Sequence, residues 1–267
     1  MDFKDIKFEV KNQVAIATLN LPDVRNVITG YETIAEIEEI CKIANEDMDI
    51  RAVVITGADP AFSAGGNVKD MVKREGMFQG PPAGLMEGYR KNVQRIPLAI
   101  RSIEVPTIAA VNGPAIGAGC DLAMMCDMRI ASKKAKFGET FVNIGIIPGD
   151  GGAYFLPRVV GMAKACELTF TGDVIDGEEA YRIGMVNYVV EHDQLMPKAM
   201  DLANKIASKP PRALRMAKRL LYMGQTMTLP QLLEQSASYQ ALCHHTEDHI
   251  EALNAMLEKR EGKYEGK

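Results

Sequence analysis

Residues Val14 to Leu19 read Val-Ala-Ile-Ala-Thr-Leu, a strand that is apolar on both faces. Such a strand belongs inside a sheet covered on both sides. Before it, Ile6, Phe8 and Val10 alternate with charged residues as on a half-buried strand; Leu21-Pro22-Asp23 breaks the run after it. Thr29 with Glu32 three residues on predicts a capping box, and Ile34, Ile37, Cys41 and Ala44 then recur at helical spacing. Further strands are predicted over Arg51 to Thr56, Thr107 to Val111 and Asp127 to Ala131. One helix is predicted around Tyr89 to Ile103, and another from about Gly117. The stretch from Gly76 to Gly88 contains GPPAG and reads either as a mobile segment near a site or as a variable surface loop. From Val159 the pattern is mainly helical. A short helix over Asp176 to Arg182 precedes Met185 to Val190, and three longer amphipathic stretches end on an Ile250, Leu253, Leu257 stripe. This is an α/β chain with a β/α core and a C-terminal helical layer.

With 267 residues, 47% of them hydrophobic, the chain can bury one large core or two smaller ones. A formal net charge of −4 argues against a nucleic-acid binder, and Lys133-Lys134 and Lys218-Arg219 are short runs typical of a solvated face. The opening MDFKDIKFEVK lacks the apolar centre of a signal peptide, and no uncharged apolar run approaches the roughly 18 residues of a membrane span. Five scattered cysteines without a C-x-x-C pair suit reduced thiols, so a soluble cytoplasmic protein is expected.

Two glycine-rich turns stand out. Phe62-Ser63-Ala64-Gly65-Gly66-Asn67 and Asn112-Gly113-Pro114-Ala115-Ile116-Gly117-Ala118-Gly119 each lie between a strand and a helix. Small residues let a ligand reach the backbone, and a helix start offers unpaired N–H groups and a partial positive charge. Two such ends facing one point could hold a developing oxyanion; either alone is an ordinary turn. The second is not a dinucleotide fingerprint, because Leu122 stands where a small residue is needed.

AFSAGGNVKDM, VPTIAAVNGPAIGAGCDLAMMCDMRIAS and AKFGETFVNIGIIPGDGGAYFLPRVVG resemble, in order and spacing, three signature blocks of the crotonase (enoyl-CoA hydratase/isomerase) family. The likeness extends from LNLPDVRNVIT, similar to the family's N-x-P-x-x-x-N-A-L segment, to EKREGKY near the end. It implies a crotonase-like spiral of β-β-α units over residues 1–200, and a helical region over 201–267 used to form a homotrimer or dimer of trimers. It further implies an acyl-CoA substrate, with the backbone N–H groups of Gly66 and Ala118 as the oxyanion hole. Val24, Arg25 and Ala64 would contact coenzyme A, and Lys259 or Lys263 would reach it from a neighbouring subunit. Coenzyme A is then part of the substrate; no metal or separate cofactor is implied.

The acid/base positions depart from the family pattern. Where hydratases carry their first glutamate the chain has Asp121, whose side chain is shorter by roughly 1.5 Å. At the second glutamate position stands Phe141, an expected wall of the acyl pocket, with Glu139, two residues away, expected in the same pocket and needing a local shift to substitute for the glutamate. Asp150, in Pro148-Gly149-Asp150-Gly151-Gly152, is near an aspartate used by relatives that shift double bonds or open rings; equally, it could cap the helix that follows. Asp121 and Asp150 are therefore the catalytic candidates, for enoyl-CoA hydration or isomerisation. Thioester hydrolysis, decarboxylation, alicyclic ring opening and non-catalytic binding of a CoA thioester stay open. His192 reads as a surface residue. His244, His245 and His249 read as a solvated helix face, although His245 and His249 have metal-binding spacing. Cys120, without a basic partner, reads as packing.

Overall fold

The computed structural model describes residues 3–267. β1 (Ile6–Lys11) and β2 (Val14–Leu19) form a hairpin, followed by α1 (Tyr31–Glu46), β3 (Ala52–Gly57), α2 (Val68–Lys73), α3 (Pro82–Lys91) and α4 (Arg95–Ser102). Next come β4 (Thr107–Val111), β5 (Pro114–Ile116), α5 (Ala118–Met125), β6 (Met128–Ser132) and β7 (Lys136–Gly138). After them lie α6 (Gly152–Val160), α7 (Met162–Thr171), β8 (Val174–Asp176), α8 (Gly177–Arg182) and β9 (Tyr188–Val190). Helices α9 (Leu195–Ala207), α10 (Pro211–Met223), α11 (Leu229–His244) and α12 (Glu247–Glu258) complete the chain.

Six strands form one sheet in the order β1-β2-β3-β4-β6-β9, antiparallel only at β1–β2, and β5-β7-β8 form a second. Alternate residues of the main sheet enter two cores, which is why its inner strands lack a polar face. Ala15, Ala17, Val53, Ile55, Ala109 and Val111 pack with α1, α4 and α5. Val14, Ile16, Val54, Ile108, Ala110 and Ile130 pack against Leu195, Ala199, Ala203 and Ala207 of α9. The boundary expected at residue 200 thus falls inside α9, a helix that belongs to the core on which it packs.

Several local expectations are corrected. Gly30, not Thr29, precedes the first turn of α1, and Thr29 Oγ1 instead accepts the Asn67 N–H at 3.3 Å. The single helix predicted over Tyr89 to Ile103 is two helices. Asn92 turns out of helical geometry at φ −125°, ψ −106°, and its side-chain amide donates to the Gly88 carbonyl at 2.7 Å. The Gly76–Gly88 stretch holds a 3-10 turn and most of α3, with Pro82 at its first position, where a missing N–H costs nothing. Gly88 packs so closely that a Cβ there would stand 2.7 Å from the Met77 carbonyl oxygen. On the C-terminal helices Leu221, Leu233, Leu242, Ile250, Leu253 and Leu257 are exposed, so the final stripe faces away from this chain's own core.

The segment before α1 is held by Asn26, buried and left-handed at φ 56°. Its Oδ1 accepts the Leu21 N–H at 2.9 Å, and its Nδ2 donates to the Ala58 and Ala61 carbonyls, both at 2.7 Å. One side chain therefore ties the N-terminal segment to the exit of β3. Asn26→Ala strands buried polar groups on both segments, and equilibrium urea unfolding should show a loss of about 2–4 kcal/mol.

Candidate active site

The first turn leaves β3 and the second leaves β4, and these strands pair in parallel, so both turns emerge at the same sheet end. There they bond to each other. Phe62 and Ser63 donate their N–H groups to the Pro114 carbonyl at 3.0 and 3.1 Å, and Ile116 N–H donates to the Ser63 carbonyl at 3.0 Å. Ser63, fully buried, donates its hydroxyl to the Asn26 carbonyl at 2.7 Å and accepts the Gly65 N–H at 3.0 Å. Contact is so close that a Cβ on Gly119 would fall 2.1 Å from the Ser63 carbonyl oxygen. A Cβ on Gly65, which has φ +77°, would fall 2.5 Å from the Ile116 carbonyl oxygen and 2.9 Å from the Ala118 nitrogen. Only glycine fits either position.

Gly66 follows that contact directly, and Ala118 opens α5 after Gly117, at φ 53°. Neither the Gly66 nor the Ala118 N–H has an acceptor among the described residues. The nitrogen of Ala118 is one of the unpaired donors every helix start carries. Two free N–H groups thus flank the Gly65 contact, with the positive end of α5 behind one of them.

Asp121 lies one turn into α5 and is fully buried. Its Oδ2 accepts the Gly152 N–H at 3.0 Å, while Oδ1 is buried without a donor among the described residues. A Cβ on Gly152 would stand 2.2 Å from Oδ1, so the glycine makes room for this carboxyl. Glu139, just after β7, is 1% exposed, and neither of its oxygens has a hydrogen-bond donor among the described residues. Asp150 is 4% exposed, with Oδ1 likewise unpaired. It does not cap α6, since Gly151 is the cap residue and no side-chain cap bond forms there. The backbone N–H at the start of that helix goes to Asp121 instead.

These carboxyls shift together. Burial, then the charges of Glu139 and Asp150, push Asp121 well above the usual carboxylate range. Burial also raises Glu139, and contacts with Asp121 and Cys120 draw it partly back. Asp150 is raised by burial and drawn back by its contact with Asp121. Among the described residues, no cationic side chain is among the largest influences on any of the three. Tyr89 of α3 faces Asp150, and burial together with that carboxylate raises its phenol. A Cβ on Gly149 would lie 3.0 Å from the Tyr89 ring, so α3 closes over this loop. Tyr89 and Gly152 escaped the sequence reading; the run of small residues around Asp150 was their one visible signal.

Phe141 is 8% exposed, and a Cβ on Gly117 would meet its ring at 3.6 Å, so it packs beside the second turn. Arg25 has φ 55°, and its carbonyl accepts the Ala64 N–H at 2.8 Å, which brings the exposed Val24 and Arg25 to the first turn. Lys259 ends α12 at φ 54°, and the Lys263 N–H donates to Glu251 at 3.0 Å. Cys120 is fully buried, its thiol pushed far up by burial, which removes it as a nucleophile. His192 pairs with Asp59 at 3.1 Å. His245 ends α11, and His244 and His249 meet instead, Nδ1 to Nε2, at 3.0 Å.

The family model for enoyl-CoA hydratase/isomerase matches residues 9–267. A short-chain-enoyl-CoA hydratase of Clostridium acetobutylicum is 38% identical over 261 residues, covering 97% of each chain. A crotonyl-CoA hydratase of Syntrophomonas wolfei is 36% identical, covering 99% of each. The crystal structure of an enoyl-CoA hydratase from Bacillus anthracis superposes with a TM-score of 0.92 at 32% identity, covering 99% of this chain and 100% of that one. The α/β architecture of this chain is accordingly the crotonase fold, and the chain is an enzyme of the enoyl-CoA hydratase/isomerase family.

Proposed function

We propose that this enzyme adds water across the C2–C3 double bond of a short-chain 2-enoyl-CoA. The observation that carries the reading is the pair of free N–H groups, Gly66 and Ala118, beside three buried carboxyls. In the proposed complex the thioester oxygen accepts from both N–H groups, which stabilise it as the enolate forms; one such donor is typically worth about 3 kcal/mol in the transition state. Val24, Arg25 and Ala64 take the coenzyme A moiety, and Phe141 walls the acyl group. As the water oxygen bonds to C3, Asp150 takes a proton from it, and Asp121 gives its own proton to C2. Asp121 is assigned the acid because burial and two neighbouring carboxyls drive it to the neutral form. Its contact with Asp150 lets the proton return afterwards.

Phe141 supports a second reading. Without a glutamate there, the same Asp121–Asp150 pair could move a proton between C2 and C4 of a 3-enoyl-CoA, shifting the double bond with no water added. We further propose that the exposed apolar residues of α10 to α12 join three chains, with Lys259 or Lys263 reaching a neighbour's coenzyme A, and that the enzyme works in the cytoplasm, in keeping with five free cysteines.

Steady-state turnover of crotonyl-CoA and of a 3-enoyl-CoA separates the two reactions, and a chain that binds both thioesters yet turns over neither is a binder. Asp121→Asn and Asp150→Asn should each lower kcat by about 100-fold or more, as loss of a general acid or base does. Full activity in both variants would overturn the assignment. Light scattering on the eluting protein should give three or six times the 29.2 kDa chain mass, and a monomer would refute the assembly.

A further inference from the structure

Glu139 presents a physical problem that the proposed reaction leaves unused. Its carboxyl is 1% exposed, and among the described residues neither oxygen has a hydrogen-bond donor. A buried carboxylate with no donor and no cation is costly, and the stable alternative is to carry or share a proton. The groups facing it are Asp121 and Cys120 of α5 and Asp150 of the loop before α6, with the Tyr89 phenol of α3 beyond Asp150. All are acids. Asp121 Oδ2 is occupied by the Gly152 N–H, which leaves Oδ1, buried and without a donor, for a proton.

We infer that Glu139 is a positioning residue: it shares one proton with Asp121 and thereby holds Asp121 as the neutral acid that faces the substrate. This inference rests on the proposed acid role of Asp121 for its kinetic consequence, but the shared proton itself is a property of the free enzyme. Two carboxyls in contact in a dry site cannot both ionise readily, so the first proton is held across the neutral range. Glu139 acts through Asp121 and does not touch the reacting carbons. The sign of the linkage follows. Native carboxyls whose affinity for protons is raised stabilise the fold fully below the unfolded-state pKa, and that contribution is lost as pH rises through the raised native value.

The test is infrared difference spectroscopy of the whole ligand-free enzyme at neutral pH, reading the carbonyl stretch of protonated carboxyls by its shift on H/D exchange. Wild type should show the band. Glu139→Gln, whose amide can donate to an ionised Asp121, should lose it. The same variant should move the alkaline limb of the kcat profile to lower pH, cutting activity at pH 8 at least tenfold relative to pH 5.5 with little change in KM, and Glu139→Asp should restore part of it. Should Glu139→Gln fail to fold, carboxyl carbon-13 NMR of wild type labelled in Asp and Glu decides. A protonated carboxyl at pH 7 supports the inference, and a spectrum of ionised carboxylates alone overturns it. An unchanged band and pH profile in a folded Glu139→Gln would overturn it too. A band present in wild type, lost in Glu139→Gln, with no effect on turnover would leave the shared proton standing and remove Asp121 as the acid.

Discussion

Backbone pressed on backbone organises this site. The Gly65 peptide rests against Ile116 and Ala118, and Gly119 against Ser63, at separations where no side chain fits. Parallel pairing of β3 with β4 brings the two turns to one end, and the bonds through Pro114 and Ser63 lock them. Because the donors are main-chain N–H groups at this junction, their spacing is set by the sheet and not by any rotamer. Such rigidity suits a group that must be aimed before charge develops. A backbone N–H also serves whatever the side chain, so the methyl of Ala118 does not remove the donor.

Around this fixed pair lie carboxyls with no cation among their largest influences from the described residues. Asp121 is tied to Gly152, Glu139 has no hydrogen-bond donor at either oxygen among the described residues beyond its acidic neighbours Asp121 and Cys120, and Asp150 borders the loop under Tyr89. Burial raises all three, and repulsion from neighbouring carboxyls adds to it at Asp121 and Glu139, so the cluster favours protonated forms more than exposed carboxyls do. An acid and a base of the same residue type can then coexist a short distance apart, distinguished by surroundings alone.

Much of this was legible in the sequence, and the rest was hidden for definable reasons. The doubly apolar Val14–Leu19 announced a covered sheet, and both ends of that strand and of Thr107–Val111 match the sequence expectation. β5, β7 and β8 span three residues each, too short to show a period of two. The break at Asn92 depends on a side-chain bond to Gly88, and helical periodicity runs through it unmarked. At the site, Gly66, Ala118 and Asp121 could be placed from the resemblance. The bond between Asp121 and Gly152 spans 31 residues of sequence and needed the fold. Glu139 was expected in the substrate pocket with Phe141 and not among the acid/base candidates, because position matching put the second glutamate site at Phe141. The backbone at Glu139, φ −87° and ψ 61°, begins a 3-10 turn, and along it the two side chains go to different neighbours, Asp121 and Gly117.

The central claim is that Gly66 and Ala118 polarise a thioester carbonyl. Isotope-edited vibrational spectroscopy of a bound enoyl-CoA, carbon-13 labelled at the thioester carbonyl, measures this directly. On wild type the carbonyl stretch should fall below its value in solution, and Gly66→Pro, which deletes one donor, should return it most of the way. A bound carbonyl that vibrates as it does in water, or a shift that survives Gly66→Pro unchanged, would contradict the account.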